Sequence, residues 1–318
     1  MTGAAVETVL DGAFVDQPSP ALATTLAVLA VQGGAVVAER YGDDVDADTT
    51  LISWSMAKSI TQALVGFAVT DGLLDIDAPA PVPEWTAADD PRHAITVDQL
   101  LRMCSGLEFC EDYVDERVSD VMTMLFGAGQ EDMAAFAAAY PLAHEPGTVF
   151  NYSSGTTNIL ARIVGDLYGG RRGVEGLLQD RLFGPLGMTS AEAKFDPAGT
   201  FVGSSYVYAT ARDFARFGEL YLRGGSAGGR RVLPAGWVTY AMTESTVSSG
   251  PDEQPYGAHW WRFPPVPGSF AAQGYQGQRT LVVPDLDLVV VRLGITPVEL
   301  KANLDRWLTA LVDALRQA

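Results

Sequence analysis

Lysine is scarce in this chain, with three in 318 residues: Lys58, Lys194 and Lys301. Cysteine and histidine are as sparse, represented by Cys104 and Cys110 and by His93, His144 and His259. Two cysteines build neither a disulfide framework nor a cysteine zinc site. Two reduced thiols in a cytosolic protein are expected rather than a bridge. The histidines share no ligand spacing, so a metal would have to be held by carboxylates, and nothing points to one. No metal and no organic cofactor is expected. No apolar run is long enough to cross a bilayer. The start, Met1-Thr2-Gly3-Ala4-Ala5-Val6-Glu7, lacks the basic and apolar segments of a secretory signal. The expectation is a cytoplasmic protein. Positive charge is also short, with 21 Lys and Arg against 39 Asp and Glu, a net charge of −18. Such a surface repels phosphate backbones and anionic lipid, which argues against nucleic acid and membrane as partners. Solubility is the ordinary reason for it.

What the chain does have is apolar mass. Hydrophobic residues make up 47%, enough for a large core in one domain or two intimate ones. Leu26–Val31 and Ala35–Ala38 flank Gly33-Gly34 and read as a hairpin. Ser55 to Thr70 reads as an apolar helix stopped by Asp71-Gly72. Pro79, Pro81 and Pro83 mark an extended connection. Thr96-Val97-Asp98-Gln99 has the form of a capping box. Asn158–Tyr168 and Val174–Leu182 read as helices, and Val298 to Arg316 as a terminal helix. β-patterning returns in Thr280–Val283 and Leu288–Leu293 around the turn Pro284-Asp285-Leu286-Asp287. Strands at both ends with helices between them suggest one sheet assembled from both termini, with a helical region inserted.

Three local patterns carry chemistry. In Ser55-Met56-Ala57-Lys58 the hydroxyl and amine are three apart, so a helix brings them to one face. Ser55 would also sit at a helix N-terminus, where the dipole favours developing negative charge. Lys58 is the sole charge between Ser55 and Thr70. Burial would lower its pKa and leave a neutral amine beside a nucleophile. The alternative is a lysine that snorkels to the surface. The second pattern is Glu145-Pro146-Gly147-Thr148-Val149-Phe150-Asn151-Tyr152-Ser153-Ser154. Tyr152 could supply a phenolic acid/base group and Ser154 a hydroxyl, or Tyr152 could simply be a core tyrosine. The third is Ala271-Ala272-Gln273-Gly274-Tyr275-Gln276-Gly277-Gln278. Its glycines allow a backbone N–H to approach a substrate as an oxyanion donor, although a plain hairpin explains them equally well.

In this order the motifs resemble the serine β-lactamase and penicillin-recognising superfamily, its class C and family VIII esterase branch. Gly72-Leu73-Leu74-Asp75-Ile76-Asp77-Ala78-Pro79 and Leu100-Leu101-Arg102-Met103-Cys104-Ser105-Gly106-Leu107 support the likeness. Cys110-Glu111-Asp112-Tyr113 and Gly274-Tyr275-Gln276-Gly277-Gln278 look most like the 6-aminohexanoate-dimer hydrolases. The resemblance implies an α+β (α/β) fold of β-lactamase/transpeptidase type, with an antiparallel sheet flanked by helices. It divides the chain into a sheet domain, 1–90 with 190–318, and a mostly helical domain, 91–189, with a catalytic cleft between them. It implies Ser55 as nucleophile, Lys58 as base and Tyr152 as proton relay. Tyr113 would contact the substrate amide, Ser154 would close the second motif, and Gly274 with the Tyr275 amide would serve the oxyanion hole together with the Ser55 amide. The substrate would be a small amide or short-chain ester, hydrolysed through an acyl-enzyme. A carboxylesterase without useful amidase activity and a ligand-binding protein without turnover are the alternatives. The oligomeric state stays open, a homodimer included. Two departures stand out. The Lys-Thr-Gly triplet falls on Ala272-Gln273-Gly274, which removes the cation for a β-lactam carboxylate, and Ser154 stands where β-lactamases of this class carry asparagine.

Overall fold

The computed structural model describes residues 3–15, 17–113, 119–251 and 253–317. Its centre is a six-stranded antiparallel sheet, ordered Ala35–Tyr41, Thr24–Gln32, Leu288–Ile295, Gln278–Val283, Phe270–Gly274, Trp261–Arg262. The expected hairpin turns at Gly33 and Gly34, at φ 60° and 79°. Two successive left-handed residues match the strand twist in a two-residue turn, and glycine adopts them without strain. Strands from the two ends of the chain meet where Thr24–Gln32 pairs with Leu288–Ile295.

Alternation along the strands sorts the core into two layers. Val28, Ala30, Leu281 and Val290 pack on Val6 and Leu10 of the N-terminal helix, Ala4–Phe14, and on Leu304 and Leu308 of the C-terminal helix, Lys301–Arg316. On the other face, Leu29, Val31, Val289 and Val291 join Ile60 and Leu64 of helix Ala57–Thr70 and Phe214 of helix Ala211–Leu222. Each such side chain contributes about 1.5–3 kcal/mol by leaving water. Helix Ala57–Thr70 lies under the sheet on one side and against helix Ser154–Tyr168 and loops on the other, so twelve of its residues are buried.

The local signals hold in detail, with shifts at element ends. The capping box at helix Val97–Leu101 is complete, with Gln99 N donating to Thr96 Oγ1 (3.2 Å) and Thr96 N to Gln99 Oε1 (2.9 Å). The helix read from Ser55 starts at Ala57, behind a 3₁₀ turn over Trp54–Met56. The helix read from Asn158 starts earlier, at Ser154, because Ser153 Oγ accepts from Thr156 N (3.0 Å) and caps it there. Val174–Leu182 is helical, but from Leu177 to Phe183 it winds as a π-helix. The terminal helix opens with a 3₁₀ turn, Val298–Leu300.

Candidate active site

The turn carrying Ser55 is held from behind. Ser53 N donates to Val207 O (2.8 Å), Val207 N donates to Ser53 Oγ (3.1 Å), and Ser53 Oγ donates to Ser205 O (3.1 Å). Between this anchor and the helix, Trp54 sits at φ 44°, a left-handed conformation that costs a bulky residue about 1–3 kcal/mol. Its ring meets Tyr275 edge-on at 5.7 Å. Strain next to a candidate nucleophile, over-determined by neighbours, is characteristic of a functional turn.

One helical turn further on, Lys58 has no route to solvent. It is 1% exposed on a helix buried almost all round, so the snorkelling alternative fails. Its Nζ lies 3.1 Å from Ser55 Oγ, 2.8 Å from Ser154 Oγ and 3.1 Å from Ser204 O, which satisfies all three ammonium protons. Burial pulls its pKa down to about 8, against the upward pull of the Glu111 carboxylate. Near neutral pH a usable fraction of Lys58 is therefore an amine.

Ser154, the first residue of its helix, links Lys58 to Glu111. Its Oγ donates to Glu111 Oε1 (2.5 Å) and its N–H to Oε2 (2.8 Å). Glu111 also accepts from Tyr113 OH (3.0 Å). Glu111 is the group that sequence reasoning missed. The pattern Cys110-Glu111-Asp112-Tyr113 was legible, but not the carboxylate's partner 43 positions away. Tyr152 holds its ring 5.0 Å from Lys58 Nζ and packs against Trp261 and Tyr256. Burial pushes its phenol up, while a hydrogen bond with the Ser55 hydroxyl pulls it down. Ser55, Lys58, Tyr152 and Ser154 thus form one constellation.

The third motif ends strand Phe270–Gly274 beside the Ser55 turn. A Cβ at Gly274 would stand 2.3 Å from Ser53 O, so only glycine allows this approach. Tyr275 and Gly277 follow in a 3₁₀ turn, and the Tyr275 ring stacks on Tyr113 at 4.7 Å and 21°. The cross-strand register adds a residue that the motif does not show. Arg279 lies opposite Gln273 and is 4% exposed.

Ser55, Glu111, Tyr113, Tyr152, Gly274 and Arg279 line one cleft of about 1270 Å³. His259 is no base for Ser55. Its Nδ1 donates to Leu101 O (2.8 Å), its Nε2 accepts from Thr157 Oγ1 (3.0 Å), and burial lowers its pKa to about 3. Cys104 and Cys110 are free thiols. The run Gly224-Gly225-Ser226-Ala227-Gly228 matches the Gly-x-Ser-x-Gly pattern of α/β-hydrolases. It forms the hairpin Ser226–Ala227 with Arg230–Arg231 after a helix, not a strand-to-helix elbow.

Known proteins resemble this chain in sequence and in fold. The sequence matches the family described as Beta-lactamase over residues 19–314. The 6-aminohexanoate-dimer hydrolase of Paenarthrobacter ureafaciens is 32% identical over 293 residues, covering 86% of this chain and 73% of the relative. A solved structure from Bacillus anthracis, assigned provisionally as a 6-aminohexanoate-dimer hydrolase, has a TM-score of 0.78 at 23% identity over 92% of this chain and 79% of its own. A family VIII carboxylesterase has a TM-score of 0.72 at 16% identity over 99% and 98%. The two structures share the fold, and the family match spans nearly the whole chain. This chain belongs to the beta-lactamase family, as a serine hydrolase.

Proposed function

We propose that Ser55 is an acylating nucleophile, with Lys58 its base and Tyr152 its proton relay, acting on linear amides of the 6-aminohexanoate-oligomer type and on short-chain esters. The carrying observation is the buried Lys58 amine, 3.1 Å from Ser55 Oγ with a pKa near 8. A neutral amine in that position takes the Ser55 proton as Oγ bonds to the substrate carbonyl carbon. The carbonyl electron pair moves onto oxygen, where backbone N–H groups of Ser55 and Tyr275 receive it, each donor contributing on the order of 3 kcal/mol. The pair then returns, the bond to the leaving nitrogen or oxygen breaks, and Tyr152 passes the proton to that atom. Water, deprotonated by the same base, attacks the acyl-enzyme and releases the acid. Glu111 and Ser154 hold Lys58 in place and balance its charge when protonated. The similarity to a 6-aminohexanoate-dimer hydrolase supports the amide class, and ester cleavage, being chemically easier, accompanies it.

The test is kcat/KM for the 6-aminohexanoate linear dimer and for p-nitrophenyl butyrate, with wild type and Ser55→Ala. Wild type turns over both, and Ser55→Ala loses about 10⁴-fold or more on each. Cleavage of the ester alone would make the protein a carboxylesterase. Turnover of neither would leave a ligand-binding protein.

A further inference from the structure

We propose that His259 is a positioning residue, tying the helix of Lys58 to the helix of Ser154 and to the turn that carries Trp261. In this way it fixes the base and its partners against Ser55. The proposal rests on the acyl-transfer reading and adds the residue that sets its geometry.

The backbone gives the first sign. His259 stands at φ 57°, in the left-handed region, and is 2% exposed. A residue with a Cβ keeps that conformation only where its surroundings over-determine it. They do so here, because each of its polar groups is bonded. Its N–H (3.0 Å) and its Nδ1 (2.8 Å) both donate to Leu101 O, at the end of helix Val97–Leu101. Its Nε2 accepts from Thr157 Oγ1 (3.0 Å), and its carbonyl accepts from Ser59 Oγ (2.7 Å). The turn is also fixed from outside, where Ala258 N donates to Ala241 O (3.0 Å) of helix Trp237–Met242.

The partners matter through their places in the chain. Ser59 follows Lys58 directly. Thr157 stands three residues after Ser154 on the same helix, so both project from one face. Trp261, two residues after His259, packs its ring 5.3 Å from that of Tyr152 and lines the cleft. One residue is thus bonded to close neighbours of the base and of its hydroxyl partner, and is two residues from the ring that packs on the relay. Hydrogen bonds weaken steeply with misalignment, so these fix distance and direction between the helices. Apolar packing is non-directional and fixes proximity only. Burial lowers the pKa of His259 to about 3, and the charge of Lys58 adds to the effect, so the ring stays neutral beside the base.

The experiment measures kcat, KM and the pH profile of kcat/KM on both substrates, in wild type, His259→Gly, His259→Asn and Thr157→Val. Glycine suits φ 57° while removing the ring, which separates the lost bonds from backbone strain. His259→Gly is expected to lower kcat about ten- to hundredfold, with KM within about twofold of wild type. The space it leaves admits water to Lys58, so the midpoint near 8 moves to higher pH. Glu111 and Tyr152, the other titratable groups beside Lys58, are kept in every variant. Asparagine also tolerates the left-handed region, and its amide can donate to Leu101 O in place of Nδ1, so His259→Asn recovers part of the rate. Thr157→Val removes the second ring bond alone and gives a smaller loss in the same direction. If His259→Gly fails to fold, these two variants still decide. Denaturant titrations read Lys58 without turnover, because the pH window in which its lowered pKa stabilises the fold opens later in His259→Gly. If wild type turns over neither substrate, the hydrolase reading falls and that window alone judges His259. A lower Tm with kcat unchanged, or a midpoint and window that stay at the wild-type value, overturns the positioning role.

Discussion

Lys58, bonded to Ser55, and Arg279, in the cleft lining, are two buried cations, and burial affects them differently. Lys58 has all three protons bonded and can shed one, and desolvation lowers its pKa to about 8. Among the described residues, Arg279 has an N–H without a partner, and Asp305 stands too far away to bond it. It cannot shed its charge, so burial leaves it a cation without a bonded acid among the described residues. The same physical cost is relieved by a lowered pKa at one site and stays unrelieved at the other.

The sharpest way to break this comparison is to make the base permanently charged. Lys58→Arg and Lys58→Met should both lower kcat by about 10³-fold or more, because a guanidinium cannot accept the Ser55 proton. Retention of activity in Lys58→Arg, measured by steady-state kinetics, would mean that charge rather than basicity matters there. Tyr152→Phe comes next. It should cost about 10²- to 10⁴-fold on the amide and much less on p-nitrophenyl butyrate, whose leaving group departs without a proton. Equal losses would assign Tyr152 to Ser55 activation alone.

Gly274→Ala tests the approach of Gly274 to Ser53. Its Cβ would meet Ser53 O at 2.3 Å, and backbone cannot yield as a side chain can. Overpacking of this kind costs about 1–3 kcal/mol, and should appear as a Tm lower by a few degrees together with reduced turnover of both substrates. The smallest effect is a shift in pH dependence. kcat/KM should rise with pH through about 8 as Lys58 becomes neutral. Glu111 holds the ammonium form up, so Glu111→Gln should move that midpoint to lower pH. An unmoved midpoint would detach Glu111 from the base. Stability carries the same signature. Between about 8 and the ordinary lysine value of 10.5, the unfolded chain holds more protons at this position, so its contribution makes the fold more stable as pH rises through that window. Denaturant titrations of Lys58→Met should lack that slope.

Much of the constellation was readable because its parts are short-range. Ser55 and Lys58 meet through one helical turn, and Tyr152 and Ser154 flank a helix start. Gly274 announced a close approach, and the structure identifies what it approaches. Glu111 carries no role in the sequence reading, because nothing local shows that it faces Ser154. The third motif carries no cation on its own strand, Ala272-Gln273-Gly274. On the next strand, antiparallel register sets Arg279 opposite Gln273.

By itself, the sequence determined the hairpins, the caps, the pairing of serine with lysine and the membership of the family, because these depend on neighbours a few residues apart and on motifs in order. The tertiary structure alone decided that helix Ala57–Thr70 is buried along twelve of its residues, that Glu111 reaches Ser154, and that Arg279 has no bonded acid among the described residues. Desolvation and long-range charge depend on atoms brought together from distant parts of the chain. The spacing of residues along it does not contain them.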